Sequence, residues 1–269
     1  MRKPIMAGNW KMNCDNDEAC KLACGIVDTM AAPGEAEVVV FVPATALTTV
    51  VNCVEDSPIE VGAQNLFWAD KGAYTGEISG RMIVSTGARW VLIGHSERRG
   101  RFGKLEEGWT EAHVAYFGDS DVTVNAKTRK ALEVGLKPIV CCGELLAERQ
   151  AGRTDEVVGG QVRAMLDGLS PAEVAKLVIA YEPVWAIGTG EVCDAEEANR
   201  VCGVVRSVVA EVAGPAVAEG LRVLYGGSVS PDNVAGLMAQ PNIDGGLVGG
   251  ASLKAESFVA LVAAAAASV

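Results

Sequence analysis

Three side chains able to move a proton or hold an anion stand far apart in the chain, each just after an apolar run. Glu182 lies in Ala180-Tyr181-Glu182-Pro183-Val184-Trp185-Ala186-Ile187-Gly188-Thr189-Gly190, between one apolar run and another that ends in glycines. Burying an unpaired carboxylate costs several kcal/mol, so an acid in that setting needs a partner or a task. His95, in Gly94-His95-Ser96-Glu97-Arg98-Arg99, follows an apolar run at a helix start for which Ser96 is the candidate cap. A helix N-terminus disfavours imidazolium, so a neutral histidine that donates a hydrogen bond fits there, although a lone histidine is more often structural. Lys11, in Gly8-Asn9-Trp10-Lys11-Met12-Asn13, has no acid close by in sequence before Asp15, and its default is a solvated surface side chain.

Two further segments suit an anion. Tyr225-Gly226-Gly227-Ser228-Val229 and Leu247-Val248-Gly249-Gly250-Ala251-Ser252 each end an apolar run in glycines and open a helical stretch. Such a junction leaves backbone N–H groups free at the positive end of a helix and makes a phosphate cradle. Close packing of helix on strand would also explain glycine. Two such loops in succession favour the cradle.

Positioning these residues requires strands that share one end. Near-continuous apolar runs occupy residues 4–7, 37–42, 59–63, 90–93, 138–142, 177–180, 222–224 and 243–248. They do not alternate, as expected for parallel strands covered on both faces. Helical segments fall between them, among them residues 15–30, 145–166, 195–213 and the tail from Ala251. The pattern suits a single α/β domain, a (β/α)8 barrel of eight parallel strands with surrounding helices, although a doubly wound sheet can be written from it. A barrel gathers strand C-termini at one mouth, where the scattered polar residues would converge. No G-x-G-x-x-G follows the first run, so a dinucleotide crevice lacks its signature.

Composition narrows the partners. With 269 residues, 49% apolar content and no apolar run of membrane-spanning length, the chain reads as soluble and globular. No signal-peptide core can be drawn near Arg2 and Lys3, so a cytoplasmic location is expected. A net charge of −11 argues against nucleic acid or an anionic membrane as partner. The eight cysteines are expected to be reduced and buried, and with only two histidines, neither near Cys20 and Cys24, a zinc site is not expected.

The stretches already quoted, together with Gly62-Ala63-Gln64-Asn65 and Gly72-Ala73-Tyr74-Thr75-Gly76-Glu77, bring the chain to a known family: it closely resembles the triosephosphate isomerases over essentially its whole length. The resemblance implies the interconversion of dihydroxyacetone phosphate and D-glyceraldehyde 3-phosphate in glycolysis and gluconeogenesis. It further implies no metal or organic cofactor, and a homodimer joined through the loop around Thr75. Glu182 would be the base, His95 the neutral proton shuttle, and Lys11 the cation that stabilises the enediolate, with Asn9 orienting substrate. Residues 183–190 would form a lid that brings Ile187 against Glu182 opposite Leu247. Drying a carboxylate makes it a stronger base. Gly188, Ser228, Gly249 and Gly250 would grip the phosphate, with Glu97 and Thr75 in support.

The chain departs from the family at the trailing end of the lid, where Glu191-Val192-Cys193 stands, and in an inserted segment within residues 102–118. There Leu105, Trp109, Ala112 and Tyr116 are spaced for one apolar helix stripe, expected to pack on its own barrel or to enlarge the dimer contact. Two rivals remain: another phosphosugar isomerase on the same barrel, and a non-catalytic phosphate-binding barrel. The first should lack the joint presence of Lys11, His95 and Glu182, and the second should have lost its base.

Overall fold

In the computed structural model, which describes residues 2–30 and 34–268, eight parallel strands close into a barrel in chain order. They are β1 (Ile5–Asn9), β2 (Glu37–Val42), β3 (Ile59–Ala63), β4 (Trp90–Ile93), β5 (Lys137–Cys142), β6 (Val178–Tyr181), β7 (Arg222–Tyr225) and β8 (Gly245–Val248). The closing pair sets Ile5 beside Gly245 and Gly8 beside Val248. All eight strands coincide with apolar runs, shifted by at most two residues at their ends.

Burial on both faces explains why those runs do not alternate. One set of side chains, including Ile5, Ala7, Val39, Phe41, Trp90, Leu92, Ile139, Val178, Leu224 and Leu247, fills the barrel interior. The other set, including Met6, Val38, Val40, Val61, Val91, Val140 and Val223, faces the helices.

The helices of the outer layer begin with α1 (Asn16–Thr29), α2 (Leu47–Cys53) and α3 (Gly80–Ser85). Next come α4 (Glu111–Val114), α5 (Asp121–Glu133), α6 (Leu146–Gln150), α7 (Thr154–Leu166) and α8 (Pro171–Val174). The last are α9 (Ala195–Ala213), α10 (Pro215–Gly220), α11 (Val234–Met238) and α12 (Ala255–Ala266). Local chemistry sets their ends. Asp15 caps α1 through its carboxylate, which accepts from Glu18 N at 2.9 Å, while Glu18 Oε2 accepts from Asp15 N at 3.0 Å. Asp194 caps α9 through its carboxylate, which accepts from Glu197 N at 2.7 Å, and α9 stops at Gly214, whose φ is +93° and which precedes Pro215.

Two helical expectations need correction. The stretch 145–166 is two helices, because Ala151, Gly152 and Arg153 make a turn in which Gly152 takes φ +70°. Within 102–118 only α4 is helical, so Leu105 and Trp109 lie before it and the expected stripe does not form. The segment is organised by aromatic packing. The Phe102 ring sits 5.5 Å from Trp109 and 5.3 Å from Phe117, and Trp109 stacks on Phe117 at 5.7 Å. Leu105 and Tyr116 remain exposed. No helix among the described residues is long and apolar enough to cross a membrane.

Candidate active site

The C-terminal ends of β1, β4, β6, β7 and β8 deliver Lys11, His95, Glu182, Ser228 and Gly249 to one cleft of about 380 Å³, lined also by Asn9, Ile187, Gly188, Leu247 and Gly250. A larger hollow of about 740 Å³ lies at the opposite end of the barrel, beside Glu37, Glu60, Arg89 and Lys137. Four of its charged groups pair with one another or with a neighbour: Lys137 Nζ is 2.8 Å from Glu60 Oε2, Arg89 Nη1 is 3.6 Å from Glu60 Oε1, and Arg222 reaches Glu37. The mouth at the C-terminal ends is the one that holds Lys11, His95 and Glu182 together.

Glu182 is 1% exposed, one residue past the end of β6. Its Oε2 accepts from Ser96 N at 3.0 Å. His95 Nε2 approaches its other oxygen, Oε1, to 2.8 Å, yet the contact is not directed as a hydrogen bond and Oε1 has no hydrogen-bond partner. One oxygen is therefore anchored, and the other is buried and free to take a proton.

The tautomer of His95 follows from its own loop. The backbone N–H of Glu97 donates to Nδ1 at 3.3 Å, so Nδ1 is the bare nitrogen and Nε2 carries the proton. This corrects the expected cap: His95, not Ser96, caps the short 3-10 turn Ser96–Arg99, because its ring nitrogen reaches back to Glu97 N while Ser96 N is engaged by Glu182.

Lys11 is not a solvated surface lysine. Its Nζ lies 2.5 Å from Glu97 Oε1, an acid 86 residues away in sequence. Its backbone takes φ +53°, a conformation uncommon for a non-glycine residue. Hydrogen bonds hold that strain: Lys11 N donates to Asn9 Oδ1 at 3.0 Å, and Gln64 Nε2 donates to Lys11 O at 2.8 Å and Phe41 O at 3.1 Å. Burial raises the Glu97 carboxyl, but the neighbouring His95 ring and the Lys11 ammonium, which also hydrogen-bonds to it, outweigh burial and hold it below the ordinary carboxylate range. Lys11 is also the one lysine or arginine lining the cleft among the described residues.

The segment after Glu182 folds over the same cleft. Val184, Trp185 and Ala186 form a buried 3-10 turn, and Gly188 and Gly190 take φ +68° and +86°. Trp185 Nε1 donates to Glu144 Oε1 at 2.9 Å, and Tyr181 O–H donates to the same oxygen at 3.1 Å. Gly103 packs against this segment from the inserted stretch: a Cβ there would fall 2.5 Å from Val184 O and 2.7 Å from Ile187 O. Gly226 is constrained likewise, since its Cβ would meet Glu182 Cγ at 2.9 Å.

The model of the family described as triosephosphate isomerase matches residues 4–265. The chain belongs to the triosephosphate isomerase family. A protein named triosephosphate isomerase from Moorella thermoacetica is 52% identical over 262 residues, covering 97% of this chain and 98% of the relative. Those so named from Symbiobacterium thermophilum and Cutibacterium acnes are 48% and 47% identical, covering 99% and 97% of this chain and 98% and 97% of themselves.

The expected site residues other than Glu97 and Thr75 line the cleft, and Glu97 reaches it through Lys11. Thr75 does not: it is exposed in the loop between Phe67 and Ser79, closed by Phe67 N donating to Ile78 O at 2.8 Å. Sequence reasoning did not assign site roles to Gln64, Ser96 and Glu144. Gln64 and Glu144 were legible as polar residues directly after strands, but Ser96 acts through its backbone and leaves no sequence signal.

Proposed function

We propose that this family member interconverts dihydroxyacetone phosphate and D-glyceraldehyde 3-phosphate by moving a proton between adjacent carbons through an enediolate. The observation that carries the reading is the pairing of Glu182 Oε1, buried and without a hydrogen-bond partner, with the protonated Nε2 of His95 in the cleft that holds Lys11. A base and a neutral donor that converge on one point can treat a carbon and its neighbouring oxygen together. Glu182 takes the proton from the carbon beside the carbonyl. His95 Nε2–H hydrogen-bonds to the carbonyl oxygen and passes its proton there as charge develops. The proton on Glu182 then returns to the other carbon, and His95 is restored by the neighbouring hydroxyl.

Lys11 stabilises the enediolate and the bound dianion, a role that needs one well-placed cation in a protein of net charge −11. Glu97 and Gln64 position it, and Asn9 orients the substrate. Gly188, Ser228, Gly249 and Gly250 hold the phosphate, while Ile187 and Leu247 dry the base. The scheme needs protein groups alone, without metal or organic cofactor.

The working form in this reading is a cytoplasmic homodimer. Its contact is the loop around Thr75, where Trp68 and Tyr74 are 39% and 48% exposed, together with Met12 at 96%. Apolar side chains so exposed beside a cleft suit a second copy of the chain. The activity is tested by a coupled assay in which glyceraldehyde 3-phosphate is the sole substrate. No turnover by purified, folded protein overturns the proposal. Sedimentation of the same preparation as a monomer at every concentration overturns the dimer.

A further inference from the structure

Away from the cleft, the fold brings three thiols together. Cys20 and Cys24 are one helical turn apart on the same face of α1, and Cys53 is the last residue of α2, which packs beside it. Cys53 Sγ is 2.9 Å from Cys20 Sγ, and all three sulfur atoms lie within 4.8 Å of one another. None is in a disulfide, and each is half-buried.

We propose that Cys20, Cys24 and Cys53 form a three-thiolate site for a soft metal cation, copper(I). Metal–thiolate bonds of about 2.3 Å set three sulfurs about 4 Å apart around a single ion. That spacing lies between the closest pair here and the outer limit of the group, so rotamer changes alone reach it. Thiolates select soft ions, and no fourth histidine, cysteine or carboxylate joins the group among the described residues. A three-sulfur set without a fourth ligand suits copper(I) better than zinc(II), which takes four.

Burial, and then hydrogen bonding and repulsion from the two other thiols, push the Cys53 thiol up to about 12. The largest causes include no side-chain cation. Without a metal, Cys53 is thus held as a thiol at neutral pH. A cation that displaces the thiol protons brings positive charge to the group, and it ties α1 to α2 across 33 residues of chain.

The test titrates the reduced, full-length protein with copper(I), delivered anaerobically against a chromogenic copper(I) chelator. One equivalent should be retained, three thiols should be withdrawn from a thiol reagent, and the unfolding midpoint should rise. Cys20→Ser, Cys24→Ser and Cys53→Ser should each lose that equivalent and the rise, while Cys14→Ser keeps both. Circular dichroism checks that each variant is folded. Retention unaffected by Cys24→Ser, or no retention by the wild type, overturns the site. So does peptide mapping that finds a Cys20–Cys53 disulfide in the purified protein. Zinc(II) held with the same three-cysteine dependence, and copper(I) not, overturns the choice of ion.

Discussion

Nε2 of His95 stands 2.8 Å from Oε1 of Glu182, although the two residues are 87 positions apart and follow different strands. The separation places a proton donor and a proton acceptor on one small target. Because the other carboxylate oxygen is fixed by Ser96 N at 3.0 Å, the position of Oε1 depends on the length of the side chain. Glu182→Asp withdraws the carboxylate by one methylene, and a misplacement of that size costs about a hundredfold or more in turnover. The variant should fold with an unchanged unfolding midpoint. Steady-state kinetics with turnover near that of the wild type would remove Glu182 from the role of base.

Lys11 faces Glu97 at 2.5 Å while bordering the cleft. A hydrogen bond to a charged group contributes about 1.5–3 kcal/mol, so Lys11→Met should weaken a phosphate-bearing transition-state analogue by roughly ten- to a hundredfold. Turnover should fall with it. Calorimetry that finds unchanged affinity would show that the phosphate is held by the backbone loops alone.

Much of the candidate site was legible in the sequence, because the residues proposed for the chemistry sit after apolar runs and the barrel topology carries strand ends to one mouth. What was not legible depended on distance in the chain. Taken without the family resemblance, Lys11 had a solvated side chain as its default because Glu97 is 86 residues away. Cys20 and Cys24 were set aside as a metal site for want of a nearby histidine, because their third neighbour, Cys53, comes from the next helix, α2. The inserted segment was misread for a different reason. The spacing of Leu105, Trp109, Ala112 and Tyr116 matches a helix, but Gly108 takes φ +84° within it and the Phe102, Trp109 and Phe117 rings satisfy one another. Aromatic packing overrode the periodicity.

That segment bears on catalysis through Gly103. A side chain there must displace the backbone at Val184 or Ile187, since both carbonyl oxygens lie within 2.7 Å of the position a Cβ would take. Gly103→Val should therefore shift residues 184–189 while leaving the barrel intact. Turnover should drop by roughly ten- to a hundredfold. An enediolate less well enclosed also expels phosphate more readily, so the fraction of turnover ending as methylglyoxal and inorganic phosphate should rise. An unchanged rate and product ratio would mean that the segment yields without moving the lid.

Glu144 offers a prediction in pH. It is fully buried behind the lid, with Oε1 accepting from Tyr181 and Trp185 and Oε2 left without a hydrogen-bond partner. Burial raises its carboxyl above the ordinary value of 4.5, and the Trp185 and Tyr181 hydrogen bonds offset this only in part. A carboxyl raised in the folded state binds its proton more tightly there than in the unfolded chain. Its contribution therefore favours folding below pH 4.5 and is lost as pH rises through the folded value. Glutamine does not titrate, yet its amide oxygen can accept from the same two donors. Across a series of urea unfolding curves from about pH 4 to 7, the stability of Glu144→Gln relative to wild type should increase with pH, whatever its constant offset. Turnover should stay within a few fold, because Trp185 keeps its acceptor. Glu144→Leu should instead lose turnover and stability together, since two buried donors would be left without a partner. A stability difference between Glu144→Gln and wild type that is flat across this range would show that the carboxyl titrates alike in folded and unfolded chains.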